Sequence, residues 1–403
     1  MKIETLQYEE MRTGWTLEET RFKGFSLLVG PSGAGKTKIL RCLERIGQVA
    51  MNGSPTEEPL DSERWTVRFS HEGQRYTWEL HAAALDGLWE SDSLTGGANR
   101  PATPRSQITF ERLTSEEHGV LFERDAERLL FRHQEAPMLT PAESVVVLLT
   151  DPLVIPVQLA FRRLVFLRAT LSGATSSTTQ VMSGAFIGSK RGLAERLAQV
   201  RASYSTVEDL LGAAGLPVHL KAFRLREMAP ERFEEISSRF CEMFSSVEEL
   251  QIGLLSESTL AHRHPSAEGI LFSIRERGVT RSIPETEFSS GMQWALLHLL
   301  KVSLAPPASV FVIDEFENSL GLNCMPSLTD FLLEHAPQHQ FILTSHHPYI
   351  INQIPIDRWA MVQRRAGRVR VVPAREIPAL QGASHLDAFT RLLNLPEDAP
   401  GAV

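Results

Sequence analysis

The sequence predicts an α/β fold with an antiparallel β subdomain and an inserted helical lobe. Three observations support this fold class. An apolar strand, a glycine-rich loop and a helical pattern follow one another over residues 26–46. Residues 64–133 contain several runs in which apolar and polar side chains alternate, as they do in half-buried strands. After residue 290, strand and helix patterns alternate again, which is typical of a parallel sheet.

Composition narrows the classes of protein to which the chain can belong. Of its 403 residues, 42% are hydrophobic and 22% are charged, so the chain can bury a core. The formal net charge of -8 argues against a surface that coats nucleic acid without specificity. The three cysteines are far apart, and their spacing predicts neither disulfides nor a zinc site. We therefore expect a reducing, cytoplasmic setting.

Nothing in the sequence indicates a membrane role. The first residues, MKIETLQYEE, lack the apolar stretch of a signal peptide. Proline and aspartate interrupt the longest apolar runs, so none of them predicts a bilayer span.

The first element with a chemical meaning is a phosphate-binding loop. It matches the pattern G-x-x-x-x-G-K-[ST] in full and lies between the strand Ser26–Val29 and a helix. The residues of the loop are Gly30, Pro31, Ser32, Gly33, Ala34, Gly35, Lys36 and Thr37. Glycines let successive amide groups face one anion, and the helix N-terminus adds partial positive charge. A chance glycine-rich turn is the alternative, and the flanking strand and helix argue against it.

Two side chains of this loop have predicted roles. Lys36 is expected to reach the β- and γ-phosphates of ATP, where it would assist catalysis. Thr37 is expected to ligate Mg²⁺ through its hydroxyl group.

The patterns divide the chain into three predicted parts. Residues 1–140 combine the loop with an antiparallel β subdomain, which includes a hairpin over residues 64–80. Residues 141–246 are mostly helical and form the predicted lobe, with two helices joined at Pro230. Residues 247–403 return to strands and alternating β/α elements.

A buried strand ends in two acidic residues within SVFVIDEFEN. Asp314 and Glu315 lie at the carboxyl end of that strand, the edge at which open α/β sheets bind ligands. Asp314 is the expected Mg²⁺ partner, through water, and Glu315 is placed to polarise an attacking water. An exposed acidic turn is the alternative interpretation, and the presence of the phosphate loop argues against it.

The next strand, within QFILTSHHPYII, ends in polar residues as well. A histidine beside a γ-phosphate can sense it by a hydrogen bond. We favour His346, which follows Thr344 and Ser345 directly, over His347, which precedes Pro348 and can simply begin a turn.

The stretch FSSGMQ allows two interpretations. Ser289 and Ser290 can cap the helix predicted over residues 292–302. A capped helix start beside Gly291 is also an anion site. Because the phosphate loop is already complete, the second site is expected to bind the γ-phosphate held by another copy of the chain.

In this order, GPSGAGKT, FSSGMQ, VFVIDEFENSL and LTSHHPYI resemble the motifs of ABC-type ATPase heads. The chain is most similar to the stand-alone bacterial AAA/ABC ATPases related to the SMC, RecF and overcoming-lysogenisation-defect groups, as found in antiphage defence. The resemblance implies a P-loop NTPase fold of the ABC-head type. It assigns Ser289 and Gly291 to ATP contacts in trans, and Asn318–Leu320 to the D-loop. Gly321–Leu322 replaces the family's usual His-Pro, and no Q-loop glutamine is identifiable.

The resemblance also implies a mechanism and partners. Two ATP molecules with Mg²⁺ would be held between two protomers, in a homodimer or a higher oligomer built from dimers. Hydrolysis would open the dimer and act on a separate effector protein, such as a nuclease. The segment after His347 offers no room for a nuclease domain of its own.

DNA binding is possible but not required, and a DNA-repair or chromosome-maintenance ATPase is the alternative function. A small-molecule kinase would leave FSSGMQ unexplained.

Overall fold

The computed structural model describes residues 1–55, 60, 62–84, 106–168, 190–257 and 268–377. The chain splits into two compact units. Unit 1 comprises Met1–Phe166 and Pro355–Val403, and unit 2 comprises Leu167–Ile354. Unit 1 therefore combines the two ends of the chain, and unit 2 is one continuous segment. The division into parts 1–140, 141–246 and 247–403 stays a prediction about domain boundaries.

Unit 1 is built mainly from strands. From the N-terminal end its elements are β1 Lys2–Glu10, β2 Trp15–Arg21, β3 Phe25–Val29, α1 Lys36–Asn52, β4 Glu63–His71, β5 Gln74–Ala84, β6 Ser106–Ser115, β7 Gly119–Arg124, β8 Leu129–Phe131, β9 Gln134–Ala136, α2 Val145–Leu148 and α3 Ile155–Phe161. The strand β10, Leu164–Arg168, spans the boundary in the chain between the units, and β16 Trp359–Arg365 and β17 Arg368–Pro373 complete unit 1.

The strands of unit 1 form a mixed sheet in the order β3-β16-β17-β2-β1-β4-β5-β6-β7-β8-β9. β16 pairs with β3 and β17 pairs with β2 in parallel, whereas β1, β2 and β4–β9 pair antiparallel. Alternate residues of β4 and β5 are buried, which confirms the predicted hairpin and explains its period of two. The buried face includes Trp65, Trp78 and Phe69, and Phe161 of α3 packs on it.

Unit 2 contains the remaining elements; helices come first, strands follow, and helices and strands alternate from residue 290 onwards. They are α4 Lys190–Ser203, α5 Val207–Gly212, α6 Val218–Met228, α7 Pro230–Met243, β11 Val247–Leu254, β12 Ile270–Glu276, β13 Ile283–Pro284, α8 Ser290–Ser303, β14 Val310–Asp314, α9 Met325–His335, β15 Gln340–Thr344 and α10 Pro348–Gln353.

Two groups of strands lie within unit 2. β14 and β15 pair in parallel, with Val310 opposite Gln340, and every residue of both strands is buried. Such continuous burial explains why both strands read as unbroken apolar runs in the sequence. β11, β12 and β13 form a separate antiparallel sheet; the sequence predicts the first two as strands but does not predict how they pair.

The helical region differs from its prediction at one element. α6 and α7 meet at Ala229 and Pro230, as expected for a proline that can begin a helix but not continue one. Leu164–Arg168, however, is a strand inside the region predicted to be mostly helical, and the sequence does not indicate it. The run LVFLR is short and apolar, and periodicity cannot separate a strand from a helix over five residues. The sequence also predicts a loop rich in Ser, Thr, Gly and Pro at 91–106 and an interruption of the helical signal at 172–189. Residues 91–105 and 172–189 lie outside the described residues.

No helix among the described residues is long and apolar enough to cross a bilayer.

Candidate functional site

The phosphate-binding loop of unit 1 connects β3 to α1. Its glycines have the left-handed backbone that other residues rarely adopt, with φ of 82° at Gly33 and 106° at Gly35. At Gly30, a Cβ atom would lie 2.6 Å from the carbonyl oxygen of Val362 on β16. Two requirements, backbone conformation and close packing, therefore explain the glycine pattern that the sequence shows.

The start of α1 fits a bound phosphate. The N-cap is Gly35, with no capping side chain, and the first turn contains no acidic residue. Amide groups at a helix start without a capping side chain bind anions readily. Lys36 is 4% exposed, and its Nζ donates to the carbonyl oxygens of Gly30 at 2.8 Å and Pro31 at 2.9 Å. Arg364 also reaches the loop, donating from Nη1 to the carbonyl oxygen of Gly33 at 3.3 Å.

In unit 2, the end of β14 carries Asp314, whose carboxylate is held by Thr344 of the neighbouring β15. The Thr344 hydroxyl donates to Asp314 Oδ1 at 2.8 Å and accepts the amide hydrogen of Glu315 at 2.7 Å. Asp314 is 9% exposed and Thr344 is 1% exposed. A buried carboxylate is one of the hard oxygen donors that Mg²⁺ prefers, so Asp314 by itself fits this ion.

Glu315 has an unusual backbone. Its φ of 48° lies in the left-handed region, where a residue with a side chain is strained. The exposed carboxylate of Glu315 accepts a hydrogen bond from Asn318 Nδ2 at 3.2 Å, and Asn318 is within the predicted D-loop. Thr344 thus holds the backbone amide of Glu315, and Asn318 holds its carboxylate.

The two histidines after β15 have different surroundings. The backbone amide of His346 donates to Glu317 Oε1 at 2.6 Å, which anchors the residue while its side chain stays exposed. His347 is the N-cap of α10, and its Nδ1 accepts the amide hydrogen of Tyr349. A capping role for His347 leaves His346 as the better candidate for a phosphate sensor.

The start of α8 carries the stretch FSSGMQ. Ser289 is the N-cap, and its Oγ accepts the amide hydrogen of Met292 at 3.3 Å. Both Ser289 and Ser290 are exposed. A Cβ atom at Gly291 would lie 3.2 Å from the carbonyl oxygen of Ser319. The cap and the glycine therefore place this turn directly against the loop that follows Glu315.

The structure thus groups the predicted site residues within each unit. Gly30–Thr37 form one loop in unit 1, and Ser289, Gly291, Asp314, Glu315 and His346 lie in unit 2 along a continuous set of contacts. Sequence reasoning missed the roles of Thr344 and Glu317. In the sequence, Thr344 is only one of the polar residues at a strand end, and nothing singles out Glu317.

Residues 185–352 match the family model described as "AAA domain, putative AbiEii toxin, Type IV TA system". This segment is therefore similar to AAA-type domains. The match covers α8, β14 and β15 together, and with the phosphate loop it confirms the P-loop NTPase fold and the ABC/AAA type that the four motifs indicate. No curated protein matches the chain.

Several solved structures of SMC heads are similar to the chain at low identity. The SMC head bound to the C-winged helix domain of ScpA is 14% identical, with 92% of this chain and 97% of that chain covered and a TM-score of 0.47. The SMC head domain from Thermotoga maritima is 13% identical, with 93% and 99% covered and a TM-score of 0.39. The Pyrococcus furiosus head with an extended coiled coil, bound to the C-terminal domain of ScpA, is 15% identical, with 92% and 96% covered and a TM-score of 0.40.

Proposed function

We propose that the chain hydrolyses ATP at sites completed by a second copy of itself, and that this cycle controls a separate effector protein. In each site, the amides of residues 30–37 and Lys36 would bind the β- and γ-phosphates. Thr37 and Asp314 would hold Mg²⁺, which neutralises phosphate charge when bound. Glu315 would polarise the attacking water, and His346 would contact the γ-phosphate.

The observation that carries the hydrolase proposal is the state of Glu315. Strained backbone persists only where the surroundings enforce it, and it is concentrated at active sites. Here Thr344 holds the amide of Glu315 and Asn318 holds its carboxylate. A carboxylate fixed in this way, one residue after a buried aspartate, supports a role in orienting water rather than a solvated acidic turn.

Completion by a second copy is supported by the surface around Ser289. Ser289 and Ser290 are exposed at the helix start, where an anion can approach. Leu322, which follows the loop that touches Gly291, is 76% exposed. A large apolar side chain left in water beside a polar turn is a feature of surfaces that associate. Ser289 and Gly291 would then contact the nucleotide of the partner.

The effector is supported only by the family. The description of the matching family names a toxin and a toxin–antitoxin system. The role that we propose is a sensor or scaffold in antiphage defence, which holds and releases an effector such as a nuclease; the description adds only the link to a toxin–antitoxin system. The cycle of association and opening would produce motion that the effector receives.

A chromosome-maintenance ATPase remains the second candidate. Arg365 and Arg368 are exposed at the turn between β16 and β17, a local basic site on an otherwise acidic chain. Such a role requires that duplex DNA stimulate turnover, with a steep dependence on salt. Turnover indifferent to DNA, together with a stable complex with an effector, would favour the sensor.

The proposed function is tested by Glu315→Gln, which should keep ATP binding and block hydrolysis. Light scattering is expected to show the mass of a monomer without nucleotide and of a dimer with Mg-ATP. Adding Ser289→Arg should abolish the shift, because a long cation replaces the cap at the partner's γ-phosphate. Ser205→Arg, on another exposed serine of unit 2, is the matched control and should leave the shift intact.

Two outcomes would contradict the proposal. If Glu315→Gln stays monomeric with Mg-ATP while the wild-type chain hydrolyses ATP, the site is not completed by a second copy. If the wild-type chain does not hydrolyse Mg-ATP, the hydrolase proposal itself fails.

A further inference from the structure

A buried pair of side chains connects the helical region to the turn that precedes Ser289. His219 Nε2, on α6, lies 3.1 and 3.0 Å from the two carboxylate oxygens of Glu285. His219 is 3% exposed and Glu285 is 1% exposed. The two residues are separated by 66 positions in the sequence, so the contact joins distant parts of unit 2.

Glu285 is also tied to its other neighbours. Its Oε2 accepts the amide hydrogen of Phe272 on β12 at 3.2 Å. Its carbonyl oxygen accepts a hydrogen bond from Gln293 Nε2, in the first turn of α8, and another from the amide of Phe288, both at 3.2 Å. The position of Glu285 therefore sets the path of the chain into Ser289.

The same helix holds the opposite end of α8. Lys221 is 4% exposed, and its Nζ donates to the carbonyl oxygen of Leu304, the residue that follows α8, at 2.7 Å. A second bond, at 2.9 Å, goes to the carbonyl oxygen of Leu211. His219 and Lys221 thus fix both ends of α8 to one helix, at the cost of burying polar groups.

Stability alone does not account for such an arrangement. Replacing both members of a buried hydrogen-bonded pair with apolar side chains of the same shape can be nearly neutral, whereas removing one partner leaves the other unsatisfied and is costly. What a directional pair provides is a defined position, and displacement of a binding group by about 1 Å can lower a catalysed rate about a hundredfold.

We propose that His219 and Glu285 are positioning residues, which hold the turn Ser289–Gly291 where it can contact the nucleotide of a second copy. Movement of α6 is then transmitted to the composite ATP site, so the helical region is the place where an effector or trigger acts on the ATPase. This inference rests on the proposed function, and it adds the route by which the site is regulated.

The test compares three variants at the buried carboxylates. Glu285→Ala removes the pair, and Glu285→Gln keeps an acceptor oxygen at the same place. Glu111→Ala, in unit 1, removes a carboxylate that is 0% exposed and paired with Arg124, so it controls for general destabilisation. Each is made in the wild-type chain for turnover and in the Glu315→Gln chain for association. His219→Leu removes the other member of the pair, and it carries the same test should Glu285→Ala not fold.

Three measurements decide the outcome. Hydrogen exchange of the amides at 288–293 should accelerate in Glu285→Ala and remain close to wild type in Glu285→Gln and Glu111→Ala. The kcat of Glu285→Ala should fall by at least about tenfold, because a misplaced turn loses contacts made across the site. ATP affinity, measured at protein concentrations below those needed for association, should not change.

Unchanged exchange at 288–293 in Glu285→Ala, or accelerated exchange with normal association and turnover, would overturn the positioning role. Equal losses of turnover and association in Glu285→Ala and Glu111→Ala would also overturn it, since general destabilisation alone would then explain the effect. A Glu315→Gln parent that stays monomeric with Mg-ATP would instead remove the proposed function. The exchange data from the same samples would then decide whether the pair holds the turn.

Discussion

The hydroxyl group of Thr344 donates to Asp314 and accepts the amide hydrogen of Glu315, so one side chain orients both acidic residues. The sequence places Thr344 at the end of a strand, next to residues of interest. It does not reveal which way the hydroxyl points, because that depends on the register between β14 and β15, about which a single strand carries no local signal.

Thr344→Val keeps the shape of the side chain and removes the hydroxyl group. Two buried polar groups, the Asp314 carboxylate and the Glu315 amide, then lose a partner, so we expect the free energy of unfolding to fall by about 2 kcal/mol. ATP turnover should fall with it. Urea unfolding and a phosphate-release assay measure the two effects.

Thr329→Val is the matched control for this substitution. Thr329 is also 1% exposed and in unit 2, but its hydroxyl donates only to the carbonyl oxygen of Met325 within α9. Its loss should leave turnover unchanged. Equal losses of turnover in the two variants would show that Thr344 has no special connection with the acidic pair.

At the scale of elements, α8 shows what periodicity can and cannot predict. The apolar spacing of residues 292–302 predicts the helix to within two residues at its start, and Ser289 is an N-cap as expected. The spacing does not predict what holds the helix in place. His219 and Glu285 are far apart in sequence, and each taken alone has the pattern of an ordinary polar surface residue.

α8 also buries a histidine. His298 is 1% exposed; its ring Nδ1 is 2.8 Å from the carbonyl oxygen of Trp294, and its Nε2 has no hydrogen-bond partner. A carbonyl oxygen only accepts, so the proton is on Nδ1 and the ring is neutral. Burial lowers the pKa of His298 to about 4, and the hydrogen bond to Trp294 opposes this shift.

This histidine should make stability depend on pH. Below about pH 6.5 the His298 side chain is protonated in the unfolded chain, whereas in the folded chain it stays neutral down to about pH 4. The free energy of unfolding therefore falls as the pH drops through that range. Between pH 7 and pH 5 the loss from His298 is about 2 kcal/mol. His298→Met should remove that part of the pH dependence in urea unfolding at the two values.

Burial lowers the pKa of His71 and His339 to about 4 as well. The free energy of unfolding of the His298→Met variant will therefore still depend on pH, but less than that of the wild-type chain. If the difference between pH 7 and pH 5 is the same in the variant and the wild-type chain, His298 is not the group responsible.

For the whole molecule, the sequence predicts the β subdomain, the alternating C-terminal elements and every residue of the phosphate loop. It does not reveal that β16 pairs with β3, bringing Trp359 opposite Leu27, or that β17 pairs with β2. Pairing between strands more than three hundred residues apart leaves no local pattern, because each strand needs only its own alternation.

The close packing of Gly291 against the carbonyl oxygen of Ser319 determines how a mutation of Gly291 should act when wild-type chains are also present. An alanine there would press on the loop that carries Asn318, and so would disturb the chain's own Glu315. In the proposed assembly the same residue completes the site of its partner. One Gly291→Ala subunit should therefore silence both sites of a mixed dimer, and the mutation should behave as a dominant negative.

Mixing wild-type and Gly291→Ala chains in known ratios measures this dominance. Turnover should fall with the square of the wild-type fraction, since only dimers of two wild-type chains would keep a working site. A linear fall would mean that each chain hydrolyses ATP independently of its partner. The mutant allele would then be recessive, and an excess of normal subunits in a cell could mask it.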